Sequence, residues 1–186
     1  MIIAITGTPG AGKSKLAWEL KKRLNAELID ITEFVKKRLL YDGFDEEKDC
    51  LIVDENKLAS ALQRRLKEVP SAINIIIDGH MSHFTPSKLV DLCVVCTCNI
   101  KTLNERLKAR GYNKSKIKEN VESEIFRVCE EEAKNNYGKE KVLVLDSSKK
   151  TPEQLADLVV SKMKQAIKAS NKNRLEQAGK QPQQNN

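Results

Sequence analysis

Five short apolar runs, with longer segments between them, predict five buried strands. They read MIIAIT, AELIDI, INIIIDG, LVDLCVVC and KVLVLD. Consecutive apolar positions are typical of strands that are covered on both faces. The segments between the runs favour helices: after the first run, Leu16, Leu20 and Leu24 recur every four residues. This alternation predicts an α/β fold with a mostly parallel sheet of about five strands and helices on both faces.

Polar residues set the expected boundaries of these helices. Thr32 is a candidate cap for the short helix TEFVKKRLL, and Thr151 with Pro152 is a candidate start for the last helix. The stretch KSKIKENVESEIFRVCEEEAKNN is expected to form one long helix. The stretch YDGFDEEKDC is expected to be an acidic connection that could close over a ligand. The chain is rich in Gln and Asn from about Ser170, so residues 170–186 are predicted to be a disordered tail.

Length and composition narrow the class of protein. The 186 residues suffice for one domain, and 33 Lys and Arg against 26 Asp and Glu give a net charge of +7. That positive charge could serve binding of anionic nucleotides, binding of RNA, or solubility. Only 4% of the residues are aromatic, which argues against a surface on which RNA bases stack. No apolar run approaches the roughly 18 residues of a membrane span, and no signal peptide is recognisable. We therefore expect a cytoplasmic protein with no membrane partner.

The five cysteines are an odd number in a chain without a secretion signal, which favours reduced thiols. Three of them, Cys93, Cys96 and Cys98, lie close together in CVVCTC. They suit either a metal knuckle or a buried strand, because free cysteine packs well among apolar residues. No second Cys-x-x-Cys or Cys/His pair completes a tetrahedral site, so the buried strand is the favoured interpretation.

Residues 7–14, GTPGAGKS, match the phosphate-binding pattern G-x-x-x-x-G-K-[ST] without a mismatch. Glycines let the backbone curl so that successive N–H groups point at phosphate oxygens, and the following helix adds its positive N-terminal dipole. Lys13 is expected to bridge the β- and γ-phosphates, and the Ser14 hydroxyl to bind Mg²⁺. The apolar strand before the motif and the amphipathic helix after it support nucleotide binding.

Asp78 ends the apolar run INIIID and is followed by both histidines of the chain, His80 and His83. A carboxylate at the end of a neighbouring strand can hold the hydrated Mg²⁺, whereas the alternative is an ordinary strand-end cap. A neutral imidazole beside the γ-phosphate could orient a water or hydroxyl nucleophile, or could only fix the loop. A zinc site formed by the two histidines is disfavoured, because no other ligands are evident nearby in the sequence.

Two cationic segments are candidates for further phosphate contacts. Arg106 and Arg110 are four residues apart, hence on one helix face, and can clamp the transferring phosphates. Lysines of the same stretch, 101–119, are better explained as a solvated face. Lys36 and Arg38 follow the second strand, where they could meet the phosphate of an acceptor or form an exposed helix face.

Together these stretches resemble the adenylate kinase isoenzyme 6 family, small P-loop ATPases tied to assembly of the small ribosomal subunit. The matching segments are ITGTPGAGKS, LYDGFDEEKDC, DEN, IIDGH, ERLKARGYNKSKIKENVESEI and EEEA, in order, and they cover nearly all of residues 1–169. The phosphate loop is common to many families, but Asp-x-His and RLKARGY are more specific. DGHMSHF is similar to the archaeal branch of the family.

The resemblance implies a P-loop NTPase fold of adenylate-kinase type over residues 1–169. An acceptor-binding segment is implied near 30–53 and a short lid near 109–119. Positions implied to bind ATP are Gly10, Ala11, Gly12, Lys13, Ser14, Lys15 and Arg110. Catalytic roles are expected for Lys13, Asp78, His80 and Arg106. Ser14 and Asp78 are expected to hold Mg²⁺, partly through water.

The resemblance further implies phosphoryl transfer from ATP to AMP, giving two ADP, together with ATP hydrolysis. It implies a small-subunit platform ribosomal protein as partner, and through that particle ribosomal RNA, in small-subunit maturation. Two residues depart from the family: Lys15 replaces a common Thr, and Lys36 replaces a common Arg. The alternative function is an ATP-switched ribosome assembly factor whose kinase activity is incidental; a kinase for another small molecule is a third.

Overall fold

The computed structural model describes residues 1–46, 48 and 50–178. A five-stranded parallel sheet forms its centre, in the order β2-β5-β1-β6-β7. Its strands are β1 (Ile2–Thr6), β2 (Glu27–Asp30), β5 (Ile75–Asp78), β6 (Leu92–Thr97) and β7 (Val142–Asp146). A separate antiparallel hairpin consists of β3 (Gly43–Asp45) and β4 (Cys50–Ile52). In this order β1, which precedes the phosphate loop, is the central strand between β5 and β6. The carboxyl end of β1 therefore lies at the middle of one edge of the sheet.

The described residues form seven α-helices, of which six lie between strands and the seventh follows the last strand. They are α1 (Lys13–Leu24), α2 (Ile31–Lys37), α3 (Glu55–Lys67), α4 (Ile100–Ala109), α5 (Lys114–Ile125), α6 (Val128–Tyr137) and α7 (Pro152–Ala178). Two short 3₁₀ helices, Ser82–Phe84 and Lys139–Lys141, lie before β6 and β7.

The alternating side chains of the strands face two separate layers of helices. On one face, Ile3, Ile5 and Val94 pack with apolar residues of α1, α4 and α7. On the other face, α2 and α3 cover the β2 and β5 side of the sheet, whereas α6 covers β1 and β6. Because both faces are buried, the central strands must be apolar at consecutive positions, as the sequence shows. The predicted five-stranded α/β fold with helices on both faces is confirmed.

The cysteine-rich segment is a buried strand, as the sequence favours. Cys93 and Cys96 lie in β6 without solvent exposure, and Cys98, 5% exposed, follows the strand directly. These three thiols belong to none of the groups of potential metal ligands found within the described part of the chain. The cluster is therefore explained by packing.

One predicted helix is two. The stretch from Lys114 to Tyr137 divides into α5 and α6 at Arg127, whose φ of 53° lies in the left-handed region. This conformation ends α5 and starts α6 in a new direction, so that α6 can pack on β1 and β6. No Gly or Pro marks the break, which is why the sequence pattern missed it.

One local prediction near the second strand was wrong, and a second stays a prediction: closure of the acidic connection over a ligand. The cap of α2 is Asp30, whose carboxylate accepts from the N–H of Glu33 at 2.9 Å, and Thr32 lies within the helix. The acidic connection contains the β3–β4 hairpin, in which Phe44 is 54% exposed. Asp30 is the cap because it is the last residue of β2, with an extended backbone directly before the first helical turn, where its carboxylate reaches a free N–H group.

The last helix begins as predicted, with Pro152 at its first position and the Thr151 hydroxyl near the N–H of Gln154 at 3.4 Å. It extends to Ala178, and residues 179–186 lie outside the described residues. Disorder of the tail from about Ser170 stays a prediction. In the described part of the chain, no helix combines the length and apolarity that crossing a membrane requires.

Candidate active site

The phosphate loop joins β1 to α1 at the centre of the sheet edge. Gly7 passes so close to β6 that a Cβ there would lie 2.1 Å from the carbonyl oxygen of Cys96. Gly12 has a φ of 91° and caps α1 without a side-chain hydrogen bond. The first N–H groups of α1 are thus left to an outside acceptor, which makes the loop a site for an anion.

Lys13 places a buried amine at the middle of this loop. Its Nζ donates to the carbonyl oxygens of Gly7 at 2.7 Å and Thr8 at 3.0 Å. Burial lowers the pKa of Lys13, and the negative charge of Asp78 opposes that shift. The charge is therefore fixed in a poorly solvated position, where it acts strongly on a bound anion.

Ser14 and Asp78 meet beside the loop. Asp78, at the end of β5, is only 3% exposed and accepts a hydrogen bond from the Ser14 hydroxyl. Its Oδ1 is buried without a hydrogen-bond partner. Burial raises the pKa of Asp78, against the effects of Ser14 and Lys13. An unpartnered carboxylate oxygen next to a hydroxyl fits the oxygen ligands that Mg²⁺ requires, so these residues could hold the predicted ion.

His80 follows Asp78 at the mouth of the site. Its backbone oxygen accepts from the Thr6 hydroxyl at 3.0 Å, which ties the loop after β5 to the end of β1. Desolvation by the surrounding groups, followed by the charges of Lys13 and Lys116, lowers the pKa of His80 to about 4, although the residue as a whole is exposed to solvent. The imidazole is therefore neutral at pH 7 and can accept a proton.

A cleft of about 340 Å³ extends from the loop to the end of β7. Its lining includes the two predicted arginines, Arg106 on α4 and Arg110 at the end of that helix, together with Gly10, Gly12, Lys13, Ser14, Lys15, Ala109, Ser147, Lys150, Pro152 and Leu155. The structure thus brings the predicted phosphate-loop and arginine residues to one cavity, whose size suits a nucleotide.

Arg106 is held by its neighbours. Its Nη1 lies 3.2 Å from the Gly10 oxygen and 3.0 Å from the Ser147 hydroxyl, and its Nη2 donates to the Ser147 oxygen at 3.2 Å. These contacts connect α4, the phosphate loop and the segment after β7. Arg110, by contrast, is exposed at the cleft wall, where its charge contributes to lowering the pKa of Lys13.

The two predicted acceptor cations lie away from the lining of this cleft. Lys36 and Arg38 are exposed at the end of α2, and the Arg38 guanidinium lies 5.0 Å from the centre of the Phe34 ring. Their role toward an acceptor stays a prediction.

Ser147 and Lys150 line the cleft but were missed by the sequence analysis. They follow β7 in the segment DSSKK. Ligands of parallel sheets bind outside the carboxyl ends of the strands, so the position of this polar segment was the available signal.

Comparison with known proteins places the chain in a family. The family model described as an AAA domain matches residues 3–127. An adenylate kinase isoenzyme 6 homolog of Dictyostelium discoideum is 38% identical over 78% of this chain and 81% of the relative. The homolog FAP7 of Saccharomyces cerevisiae is 39% identical over 80% of this chain and 74% of its own. The chain belongs to the adenylate kinase isoenzyme 6 family.

Archaeal relatives of this family member are equally similar. A Methanocaldococcus jannaschii protein named "Putative adenylate kinase" is 38% identical over 88% of this chain and 86% of the relative. Because the archaeal and eukaryotic identities agree, placement in the archaeal branch stays a prediction.

Solved structures show the fold of this family member. Shikimate kinase from Acinetobacter baumannii superimposes with a TM-score of 0.62 at 12% identity, over 92% of this chain and 94% of that one. Deoxyadenosine kinase from M. mycoides superimposes with a TM-score of 0.53 at 19% identity, over 88% of this chain and 100% of that one. The chain thus has the P-loop kinase fold.

Proposed function

We propose that this protein is a Mg²⁺·ATP-dependent nucleotide kinase that transfers the γ-phosphoryl group of ATP to AMP, giving two ADP. The observation that carries the proposal is the meeting of a buried Lys13 amine and the Ser14 hydroxyl with Asp78, whose Oδ1 has no hydrogen-bond partner within the described residues. Lys13 and Ser14 also line the nucleotide-sized cleft. The names of its relatives, adenylate kinases at 35–39% identity, support the same reaction.

ATP would lie in the cleft with its phosphates against residues 10–15 and its nucleoside toward Ser147 and Lys150. Loop N–H groups and the Lys13 amine stabilise the negative charge that develops on the transferring group. Mg²⁺, held by Ser14 and partly through water by Asp78, supplies charge neutralisation on the β- and γ-phosphates when bound. Arg106 keeps the loop in place through Gly10, and Arg110 faces the phosphates from the lid.

AMP would bind on the β2 and α2 side, near residues 30–53. The ends of β2 and β5 are in register there, with Asp30 beside Asp78. An oxygen of the AMP phosphate attacks the γ-phosphorus in line, and the bond to the β-γ bridging oxygen breaks to release ADP. Lys36 and Arg38 are the cations available to hold the AMP phosphate on this side.

Hydrolysis is the competing reaction when the acceptor position lacks AMP. A water oriented by the neutral His80 imidazole would attack instead, and the product would be inorganic phosphate. His80→Asn is accordingly expected to reduce hydrolysis more than transfer to AMP, because the AMP phosphate needs no base. Equal losses in both reactions would contradict this division of roles.

The balance of products tests the proposal. Purified protein is mixed with Mg²⁺·ATP with and without AMP, and ADP and free phosphate are quantified. A kinase gives two ADP per ATP consumed, only with AMP and with little phosphate. One ADP and one phosphate per ATP, independent of AMP, would overturn the proposed kinase function.

That second result would favour an ATPase that acts in assembly of the small ribosomal subunit. The exposed β3–β4 hairpin supports a protein partner: Phe44 and Ile52 are 54% and 51% exposed beside the acidic residues Asp42 and Asp45. A basic ribosomal protein of the subunit platform would complement this charge. Addition of that protein should then raise the rate of ATP hydrolysis; an unchanged rate would exclude it as the activating partner.

A further inference from the structure

A second group of metal-ligating side chains lies where β1 passes into the phosphate loop. His83 of the 3₁₀ helix Ser82–Phe84 meets Cys129 and Glu132 of α6, and one ligand atom of each lies within 4.8 Å of the other two. Cys129 and Glu132 are three residues apart and therefore share one helix face. The proposed phosphoryl transfer uses none of these three residues.

The hydrogen bonds of Thr6 fix the tautomer of His83. The Thr6 hydroxyl lies 3.0 Å from the backbone oxygen of His80, which can only accept, so the single hydroxyl proton is used there. The same Oγ1 lies 2.6 Å from His83 Nδ1 and must accept from it. The proton of the neutral ring is therefore on Nδ1, and Nε2 presents a lone pair.

That lone pair is buried and faces a second acceptor. His83 is 2% exposed, and its Nε2 has no hydrogen-bond partner of acceptable geometry within the described part of the chain. The Glu132 Oε2 lies 3.0 Å away. An imidazole lone pair and an ionised carboxylate oxygen repel at this distance unless a cation or a proton lies between them. Burial raises the pKa of Glu132, so a proton is the competitor of a metal ion at this contact.

Cys129 adds the third ligand. Burial raises the pKa of Cys129 to about 11, and the hydrogen bond that its Sγ accepts from the backbone N–H of Gly7 opposes this shift. A metal ion that binds the Sγ therefore displaces the thiol proton. The Glu132 side chain is 43% exposed, so the cluster is open to solvent on that side. An ion can enter there, and water can complete its coordination.

We propose that His83 Nε2, Cys129 Sγ and a Glu132 carboxylate oxygen bind one Zn²⁺ ion, with water as the fourth ligand. Nitrogen, sulfur and oxygen ligands suit tetrahedral Zn²⁺, whereas Mg²⁺ prefers oxygen alone. Ligand atoms of a tetrahedral zinc site are about 3.4–3.6 Å apart, by the usual bond lengths. The 3.0 Å between His83 Nε2 and Glu132 Oε2 is shorter than this and the 4.8 Å limit of the cluster is longer, so small movements of the exposed Glu132 side chain and of Cys129 would form the site. The bond from Nδ1 to Thr6 orients the ring as such sites require.

Cobalt binding tests this site directly. Full-length protein is stripped of metal and titrated with Co²⁺ in excess Mg²⁺, and the thiolate-to-cobalt charge-transfer absorption is followed. One Co²⁺ per chain should bind and be displaced by one Zn²⁺. Cys129→Ser should abolish the band, and Glu132→Gln should weaken binding at least about tenfold. Cys50→Ser is the matched control, because Cys50 is an exposed thiol outside the cluster, and should bind as the wild type does.

Absence of the band in the wild type would overturn the proposal, as would a band that persists in Cys129→Ser. The contact between His83 and Glu132 would then be a hydrogen bond from a protonated carboxyl group. Both variants are nearly isosteric, and thermal melting shows whether they fold. If Cys129→Ser fails to fold, Glu132→Gln carries the same test.

Discussion

Lys13 and Asp78 are opposite charges that the fold buries together at the phosphate loop. Burial lowers the pKa of Lys13 and raises the pKa of Asp78, and each charge opposes the shift of the other. Neither group is fully compensated: Asp78 Oδ1 has no hydrogen-bond partner. Phosphate and a divalent cation are the ligands that would complete the pair, which at the scale of single residues supports the proposed binding of a metal–nucleotide complex.

Lys13→Ala is expected to reduce phosphoryl transfer at least about 100-fold, because it removes a preorganised charge from the developing transition state. Lys15→Ala is the matched control: Lys15 is exposed in the same loop, and its expected contribution is the backbone N–H. Steady-state rates with saturating ATP and AMP measure both. Similar losses in the two variants would contradict the role given to Lys13.

His80 and His83 are the only histidines in the chain, so NMR of their ring protons can follow each one. Burial and neighbouring charge lower the pKa of both to about 4. Both rings should therefore remain neutral from pH 8 to about pH 5 in the presence of EDTA and protonate only as the pH falls toward 4. His80→Asn assigns the signals. A midpoint near 6.5 for His80 would contradict a desolvated, neutral imidazole at the site.

Residues close together in sequence were predictable, and residues that meet through the fold were not. The loop motif and the strand before it identified Lys13 and Ser14 as candidates. The buried run INIIID, which forms β5, identified Asp78. Ser147 bonds to Arg106 across 41 positions, and Glu132 meets His83 across 49. No local pattern encodes such pairs, because sheet order and helix packing bring them together. For the same reason the sequence disfavoured zinc at the histidines.

At the scale of elements, capping shows how backbone geometry selects among neighbouring polar residues. Asp30→Ala removes the acceptor for the Glu33 N–H and should lower the free energy of unfolding by about 1 kcal/mol. Thr32→Ala is the matched control, and should change it by less than about 0.5 kcal/mol. Urea denaturation measures both variants. If Thr32→Ala lowered the free energy of unfolding more than Asp30→Ala does, Thr32 would be the cap, as the sequence analysis predicted.

The division of α5 from α6 depends on tertiary packing. Ala133 and Tyr137 of α6 are buried against β1 and β6, which requires α6 to turn away from the axis of α5. Arg127 adopts the left-handed conformation at this point although its local sequence favours a continuous helix. Propensity correctly predicted that the segment is helical, but as one helix, and packing decided where it divides.

At the scale of the whole molecule, sheet order brings the separate segments to one edge. β1 lies between β5 and β6, so the phosphate loop has Asp78 on one side and the segment after β6 on the other. The strand pattern predicted this class of fold, because apolar runs alternate with amphipathic helices. The β3–β4 hairpin was missed because its strands are only three residues each, too short to show an alternating pattern.

A single-turnover reaction with γ-labelled ATP tests the central claim most directly. Protein in excess over labelled Mg²⁺·ATP is mixed with saturating AMP, quenched at short times, and the labelled products are separated. We predict that the label appears first in ADP formed from AMP, and that Lys13→Ala abolishes its appearance. Label that appears first in inorganic phosphate, at the same rate with and without AMP, would contradict transfer between nucleotides at this site.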